Sequence, residues 1–554
     1  MLPTPSTPSS STLQEERLLV SELLSYAVEG SEYMTKRPGW DGRSSFFVFK
    51  TNSFPAGFVP RVQSHLKRRG YQVQIVRKPR PDPLGEVMPL VDEFGHSDER
   101  YSYQMDTVHK LVKFGMGIAQ VATGGGKSRI ARLAYARVKR KTLFLTTRGS
   151  LMYQFRDDCV QSFGESEVGI VGDSEWDADK PLVCGMVQTL AQRLTVHSAD
   201  HMIESHLLRQ QEREKKELDQ LKARLAKKKV PMGQRKKEIE ALTKDQIARR
   251  VPDGKLLVDI ESKIKKQIQQ RKETIELLRS FEFVIAEEAH EAGGNSYFDV
   301  MTACVNAHYR LALTATPFMR GDAESNMRLM GCSGGIMIKI TEKQLIDLGI
   351  LATPVFLTLP TERPKSLFKG SSYDKAYRVG IVENEWRNKR IVAECIRMSR
   401  YGLTSMILVQ RVNHGNALKD YLTKIGMRVR FIKGSDDQDA RKHALKQLAT
   451  GEINVLIGTN ILDVGVDVPS VGFIALAGGG KAEVANRQRI GRGLRAKKSG
   501  PNICFVLDFV DEHNKHLKEH AIQRKAIITK TPGFARIFCH LVKFGIHRTT
   551  ASNV

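Results

Sequence analysis

Residues 118–130 read Ile-Ala-Gln-Val-Ala-Thr-Gly-Gly-Gly-Lys-Ser-Arg-Ile, and no other stretch restricts the possible folds as strongly. The apolar lead-in predicts a buried strand, and the pattern from Arg129 to Val138 predicts a helix. Between them, Thr123, Gly124, Gly125, Gly126, Lys127 and Ser128 make a phosphate cradle. Glycines admit backbone N–H groups close to an anion, Lys127 reaches the outer phosphates, Ser128 is a ligand for Mg²⁺, and the helix N-terminus adds its positive end. One position departs from the usual pattern. Val121 stands five residues before Gly126, where a small residue is usual, and is expected to tighten the loop.

Such a loop belongs to an open α/β sheet, in which ligands gather at the carboxyl ends of the strands. The segments that follow fit that plan. Thr142–Arg148 and Leu182–Leu190 each read as an apolar strand ending in a polar turn. Thr147, Arg148, Gln188 and Thr189 are therefore candidates for contacts to a phosphodiester backbone, with helix caps as the alternative reading. Upstream, Gln104 precedes a helical pattern and carries an amide able to read an adenine edge. Phe283–His290 is an apolar strand ending in Glu287-Glu288. The first acid suits Mg²⁺ and the second suits polarising a water for attack. Leu311–Pro317 forms one more strand with a hydroxyl-rich turn.

A second α/β unit opens near Thr353-Pro354. Strands are predicted at 405–409, 428–432 and 455–459, with helices such as 436–449 between them as crossovers. Thr459 to Asp467 and Gln488 to Arg495 follow. On a helix, Arg489, Arg492 and Arg495 share one face, either reaching a γ-phosphate across a cleft or facing nucleic acid. Residues 201–280 are different in kind: charges crowd in and Leu/Ile recur at helical spacing, which predicts a coiled-coil-like arm inserted in the first unit. That arm could clamp nucleic acid, dock a protein partner, or be a solvated insertion.

The N-terminal part predicts a disordered tail over 1–12 and a small α/β domain over 13–95. Within it lie a helix (15–28), strands at Phe46–Phe49 and Tyr71–Val76, a basic helix around Arg61–Gly70, and a Pro-rich linker from Lys78 to Pro83. Arg61, Lys67, Arg68 and Arg69 offer either a DNA-binding face or the basic outer face of a small packing domain. The first large α/β domain is expected over 96–350, the second over 351–515, and a basic extension over 516–554.

The formal charge of +26 over 554 residues favours a polyanionic partner, and no apolar run is long enough for a membrane span, so nucleic acid is preferred over a membrane. Seven scattered cysteines without a Cys-x-x-Cys pair argue against structural zinc or a disulfide framework and for a reducing, cytoplasmic compartment.

The order of these motifs resembles that of superfamily 2 helicases and translocases: the glutamine at 104, Ala122–Ser128, Thr146–Arg148, Val187–Leu190, Glu287–His290, Thr314–Thr316, Thr459–Asp467 and Gln488–Arg495. Within that superfamily, the short N-terminal unit and the ending Val506–Asp511 with Arg524 resemble phage-encoded branch-migrating helicases of the UvsW type and XPB-like relatives; for a phage protein the compartment is the bacterial host cytoplasm. The resemblance implies two RecA-like domains binding ATP and Mg²⁺. It implies Lys127 on phosphate and Ser128 and Glu287 on the metal. Glu288 would be the catalytic base, with Gln488, Arg492 and Arg495 completing the site. Gly465 and Asp467 would touch nucleotide, and Arg148, Thr189 and Thr459 the nucleic-acid backbone. Glu287 stands where Asp is usual. The expected activity is ATP-driven remodelling of forked or branched DNA in replication, recombination or repair. The alternatives are an RNA helicase, the motor of a restriction system, or a scaffold with a decayed site.

Overall fold

The computed structural model describes residues 10–28, 30–31, 40–76, 79–228, 230–248, 254–318, 321–459, 471–479, 494, 496–497 and 501–534. Sixteen strands fall in three sheets among these residues. β1 (Ser25–Ala27) and β2 (Arg43–Ser45) form an antiparallel pair. The first large sheet takes β3 (Met116–Val121), β4 (Thr142–Thr146), β5 (Val168–Gly172), β6 (Glu175–Trp176), β7 (Leu182–Met186), β8 (Phe283–Glu287), β9 (Tyr309–Thr314) and β10 (Ile336–Ile340). Its order is β10-β3-β9-β8-β4-β7-β5-β6, parallel except for the β5–β6 edge. The second takes β11 (Thr353–Pro360), β12 (Ser405–Leu408), β13 (Val429–Ile432), β14 (Val455–Gly458), β15 (Phe473–Ala475) and β16 (Ile503–Val510), all parallel in the order β11-β16-β15-β12-β14-β13. These are two RecA-like parallel-sheet domains in tandem.

Both faces of each large sheet are covered, which explains why the strands read as continuous apolar runs instead of alternating ones. In β8, Phe283 and Ile285 enter one core while Val284 and Ala286 enter the other. β9 divides in the same way, Leu311 and Leu313 against Ala312. In the second sheet Ile457 and Leu456 of β14 separate likewise.

Between β7 and β8 the chain leaves the sheet after the short helix Val187–Leu194 and forms three helices, Ala199–Lys227, Met232–Ala248 and Gly254–Ser280. No helix among the described residues is long and apolar enough to cross a membrane.

The N-terminal part differs from its sequence reading in several places. A helix covers Ser10–Leu23, so residues 10–12 are not a disordered tail; residues 1–9 lie outside the described residues. That helix stops five residues short of Val28 because Ser25–Ala27 pairs with Arg43–Ser45. Phe46–Phe49 is not a strand: Phe46 stacks near Phe58 at 5.5 Å and Phe47 against Phe49 at 5.0 Å, so these rings cluster instead of alternating. Tyr71–Val76 forms no strand either: among the described residues it pairs with no other strand, and a lone strand does not hold. The basic helix is Val59–Arg68, with Arg61, Lys67, Arg68 and Arg69 exposed.

This unit does not own its core. Val20, Leu24, Phe47, Phe58 and Val62 close around Met327 from the helix Ala323–Ser333 of the first large domain. A Cβ on Gly57 would lie 2.0 Å from the Met330 carbonyl oxygen, so the contact requires glycine there.

The Pro-rich run is likewise no free linker. Arg80 donates to the carbonyls of Val112 and Lys113, Tyr309 donates to that of Pro81 at 2.8 Å, and Leu84 and Gly85 donate to those of Val138 and Arg137. Irregular chain is thus strapped along the first domain, bonded to two helix C-termini and to Tyr309 of β9.

Candidate active site

Strand register collects the chemistry-bearing loops at one edge. Val121 pairs with Ile340, Gln120 with Thr314, Glu287 with Leu313, and Thr146 with Met186. The phosphate loop, the paired glutamates, the Thr314 turn and the Thr147–Arg148 and Gln188–Thr189 turns therefore all follow the carboxyl ends of one parallel sheet.

The loop turns from β3 into the helix Lys127–Val138 through left-handed backbone at Gly124 (φ 87°) and Gly126 (φ 76°), where glycine avoids the Cβ penalty. Gly125 is glycine for another reason. A Cβ on it would lie 2.6 Å from Cγ1 of Val121, which is fully buried. The residue that departs from the usual pattern thus packs directly under the loop. The cradle fits a triphosphate in character: glycine backbone, then Lys127 and Ser128 at a helix N-terminus, both half-buried and open on one side.

Behind the loop stands a clamp that the sequence did not reveal. Tyr103 donates to the Gly125 carbonyl at 2.8 Å, and Gln104, 1 % exposed, points its amide nitrogen at the same oxygen from 3.4 Å. The Gln104 carbonyl accepts from Arg129 at 2.6 Å. Arg129 grips Asp92 through two nitrogens and donates to the Gly95 carbonyl at 2.6 Å, and its guanidinium lies 5.1 Å from the Phe94 ring centroid. Partial burial pushes the Asp92 carboxyl up, but the hydrogen bonds and charge of Arg129, with Arg132, hold it below the ordinary carboxylate range. The Gln104 amide therefore braces the loop, with both its ends held by protein. The only sequence signal for this clamp was Gln104 itself.

Glu287 ends β8 and is 6 % exposed; Glu288 follows at 7 %. Glu288 adopts left-handed backbone (φ 47°, ψ 47°), a conformation that costs a non-glycine residue of order 1–3 kcal/mol and is found at sites that use the strain. Its carboxylate lies 3.4 Å from Nδ1 of His290, which is 3.1 Å from the Thr314 hydroxyl, which accepts from the Thr316 amide at 3.2 Å. One polar chain thus joins the glutamate pair to the Thr314–Thr316 turn. Tyr297 underpins it, its hydroxyl shared between the Leu145 and Glu287 carbonyls at 3.1 Å each.

A further link runs sideways. Glu291 bonds the hydroxyl of Thr147 and pairs with Arg148 at 3.2 Å, and Gln188 donates to the Thr147 carbonyl at 2.9 Å. The structure thus brings Thr147, Arg148 and Gln188 together, with Thr189 beside them on the helix Val187–Leu194, and adds Glu291, which the sequence reading passed over.

In the second domain, Thr459 follows β14 at the carboxyl edge of its sheet, its amide donating to Ile432. Gly465, Asp467, Gln488, Arg489, Arg492 and Arg495 lie outside the described residues. The segment between β15 and them is anchored by two buried arginines. Arg387 pairs with Asp511 at 2.8 Å and donates to the Ala477 carbonyl. Arg524 pairs with Asp508 at 3.0 Å and donates to the Gly479 carbonyl at 2.8 Å. No group of three or more metal-ligating side chains occurs among the described residues, and all six of their cysteines are free and buried.

Comparison with known proteins places two family matches on these domains. Residues 98–224 and 202–319 match the family described as type III restriction enzyme, res subunit, and residues 387–497 match the helicase conserved C-terminal domain. A helicase of Sulfolobus islandicus filamentous virus is 23% identical over 257 residues, covering 44% of this chain and 45% of that protein. The pre-mRNA-splicing ATP-dependent RNA helicase prp28 of Schizosaccharomyces pombe is 29% identical over 157 residues, covering 28% of this chain and 23% of the relative. The crystal structure of T4 UvsW superposes with a TM-score of 0.39 at 18% identity, covering 96% of both chains. The chain spans less than half the length of these curated relatives.

Proposed function

We propose that this chain, which carries the paired modules of superfamily 2 helicases, hydrolyses ATP to move along DNA and remodels forked or branched substrates. The observation that carries the reading is the convergence, at one sheet edge, of a braced phosphate loop, a glutamate pair with strained backbone at Glu288, and a linked set of Thr147, Arg148 and Gln188.

Loop N–H groups and Lys127 hold the phosphates of ATP. Ser128 and Glu287 are the side chains that would hold Mg²⁺, which when bound neutralises phosphate charge. Glu288 takes the proton of the attacking water, and its αL backbone sets where that carboxylate points. His290 and Thr314 transmit the state of Glu288 to the Thr314–Thr316 turn. Thr147, Arg148, Gln188, Thr189 and Thr459 contact the phosphodiester backbone, which gives little sequence preference and strong salt dependence. Gln488, Arg492 and Arg495 complete the nucleotide site from the second domain, with Gly465 and Asp467 against the nucleotide. The net charge of +26 suits the polyanionic partner.

The segment shared with prp28 favours one alternative, RNA as the substrate. ATP hydrolysis, with Lys127→Ala as the blank, separates the two readings when measured alone and with single-stranded DNA, a fork, a four-way junction or structured RNA. Stimulation chiefly by forks and junctions supports the DNA reading. Stimulation chiefly by RNA replaces it, and hydrolysis that survives in the blank removes the site assignment.

A further inference from the structure

We infer that the helical arm carries a second phosphodiester-binding site, a basic cleft between its outgoing helix Ala199–Lys227 and its returning helix Gly254–Ser280. This rests on the reading of the chain as a DNA motor and extends it to the arm. The cleft has a volume of about 590 Å³ and opens to solvent. His197, His201, His206, Arg209 and Arg213 line it from one side and Lys263 from the other, and among the described residues no carboxylate lines it.

The placement runs against what helix pairs ordinarily do. Positions four apart along the facing side of a packed helix are usually apolar. Further out, the residues that the outgoing helix buries are Glu214 and Leu225. Along the cleft the same four-residue stride carries His201, Ser205, Arg209 and Arg213 instead. The His197 and His201 rings stack at 4.9 Å. The entrance is fixed by protein bonds: the His197 amide donates to Gln267 of the returning helix at 3.0 Å, while Ile260 is buried at 4 % exposure beneath.

Length selects the ligand. From His201 to Arg213 the helix rises about 18 Å, enough to track several successive phosphates and too long for a single free phosphate. A strand leaving the first domain at a fork is the polyanion of that shape which the proposed motor already handles.

The test uses the full chain and a fluorescent DNA fork, with anisotropy read across about 50–200 mM salt, and compares wild type with Arg209→Gln/Lys263→Gln and with His197→Gln/His201→Gln/His206→Gln. ATP hydrolysis without DNA is expected to be unchanged in both variants, which certifies the fold. The Arg/Lys variant is expected to bind the fork roughly tenfold more weakly, with a salt slope shallower by about 2. The histidine variant is expected to bind the fork several-fold more weakly as well. Equal affinity and slope in wild type and the Arg/Lys variant would overturn the cleft while leaving the motor reading intact. A wild type that binds no fork at low salt would overturn both. Displacement of the fork by millimolar inorganic phosphate at matched ionic strength would overturn a strand in favour of a single phosphate.

Discussion

At the scale of single residues, the site is a set of conformational exceptions held by neighbours. Gly125 must be glycine because Val121 occupies the space a Cβ would need. Gly125→Ala is therefore expected to raise the KM for ATP several-fold, and Val121→Ala in the same chain to recover part of the loss because it removes the nearest clash. A double variant no better than the single one would show that Val121 is not what constrains the loop. Glu288 pays for its direction with backbone strain. Glu288→Gly should stabilise the fold by about 1 kcal/mol while abolishing hydrolysis, and Glu288→Gln should abolish hydrolysis with ATP binding retained. Thermal unfolding and nucleotide titration read the two effects separately. If Glu288→Gly melts lower than wild type, the αL residue is not a source of strain.

At the scale of elements, irregular chain does as much positioning as the helices and strands. The segment around Asp92 to Gly95 holds Arg129, which holds Gln104, which braces the carbonyl of Gly125. Arg129→Ala is expected to leave the fold in place, yet weaken ATP binding roughly tenfold by freeing Gln104 and the loop. Asp92→Asn should give a smaller effect in the same direction, because its amide oxygen keeps one acceptor for Arg129 while the second acceptor and the charge are lost. Unchanged ATP affinity in Arg129→Ala would mean that the clamp is only packing. Gln104 was legible in the sequence and its partners were not. Arg129 and Asp92 are 37 residues apart, and Arg148 and Glu291 are 143 apart, so no local pattern joins them.

At the scale of the whole molecule, the second domain is held by buried charge as well as by its apolar core. Arg387 and Arg524 bind Asp511 and Asp508 and, through the carbonyls of Ala477 and Gly479, fix the chain that leads on toward Gln488. Beside them His414, with its Nε2 2.9 Å from the Asn388 side-chain oxygen, has its pKa pushed down from 6.5 to about 3 by burial and then by the charge of Arg387. The unfolded chain takes up a proton there below about pH 6.5, whereas the native state does not until near 3. Stability therefore falls as pH drops through that window, by about 1.4 kcal/mol per unit from this group alone. His414→Gln should flatten the fall in urea midpoint between pH 7 and pH 4.5. An equally steep fall in the variant would assign the acid sensitivity elsewhere.

What the sequence by itself determined is the chemistry that depends on neighbours in the chain. The phosphate loop, the Glu287-Glu288 pair and the apolar strands buried on both faces are each written in a few consecutive residues, because glycine geometry, strand direction and helix polarity act locally. Tertiary structure alone decided the rest. It gathered the rings of Phe46–Phe49 into a cluster instead of a strand, and left Tyr71–Val76 without a partner strand among the described residues. It completed the N-terminal core with Met327, and drew the Pro-rich run against the first domain through carbonyls that helix ends left unpaired. It also set His201 opposite Lys263 across the arm, since a cleft between two helices exists only once both have folded and packed.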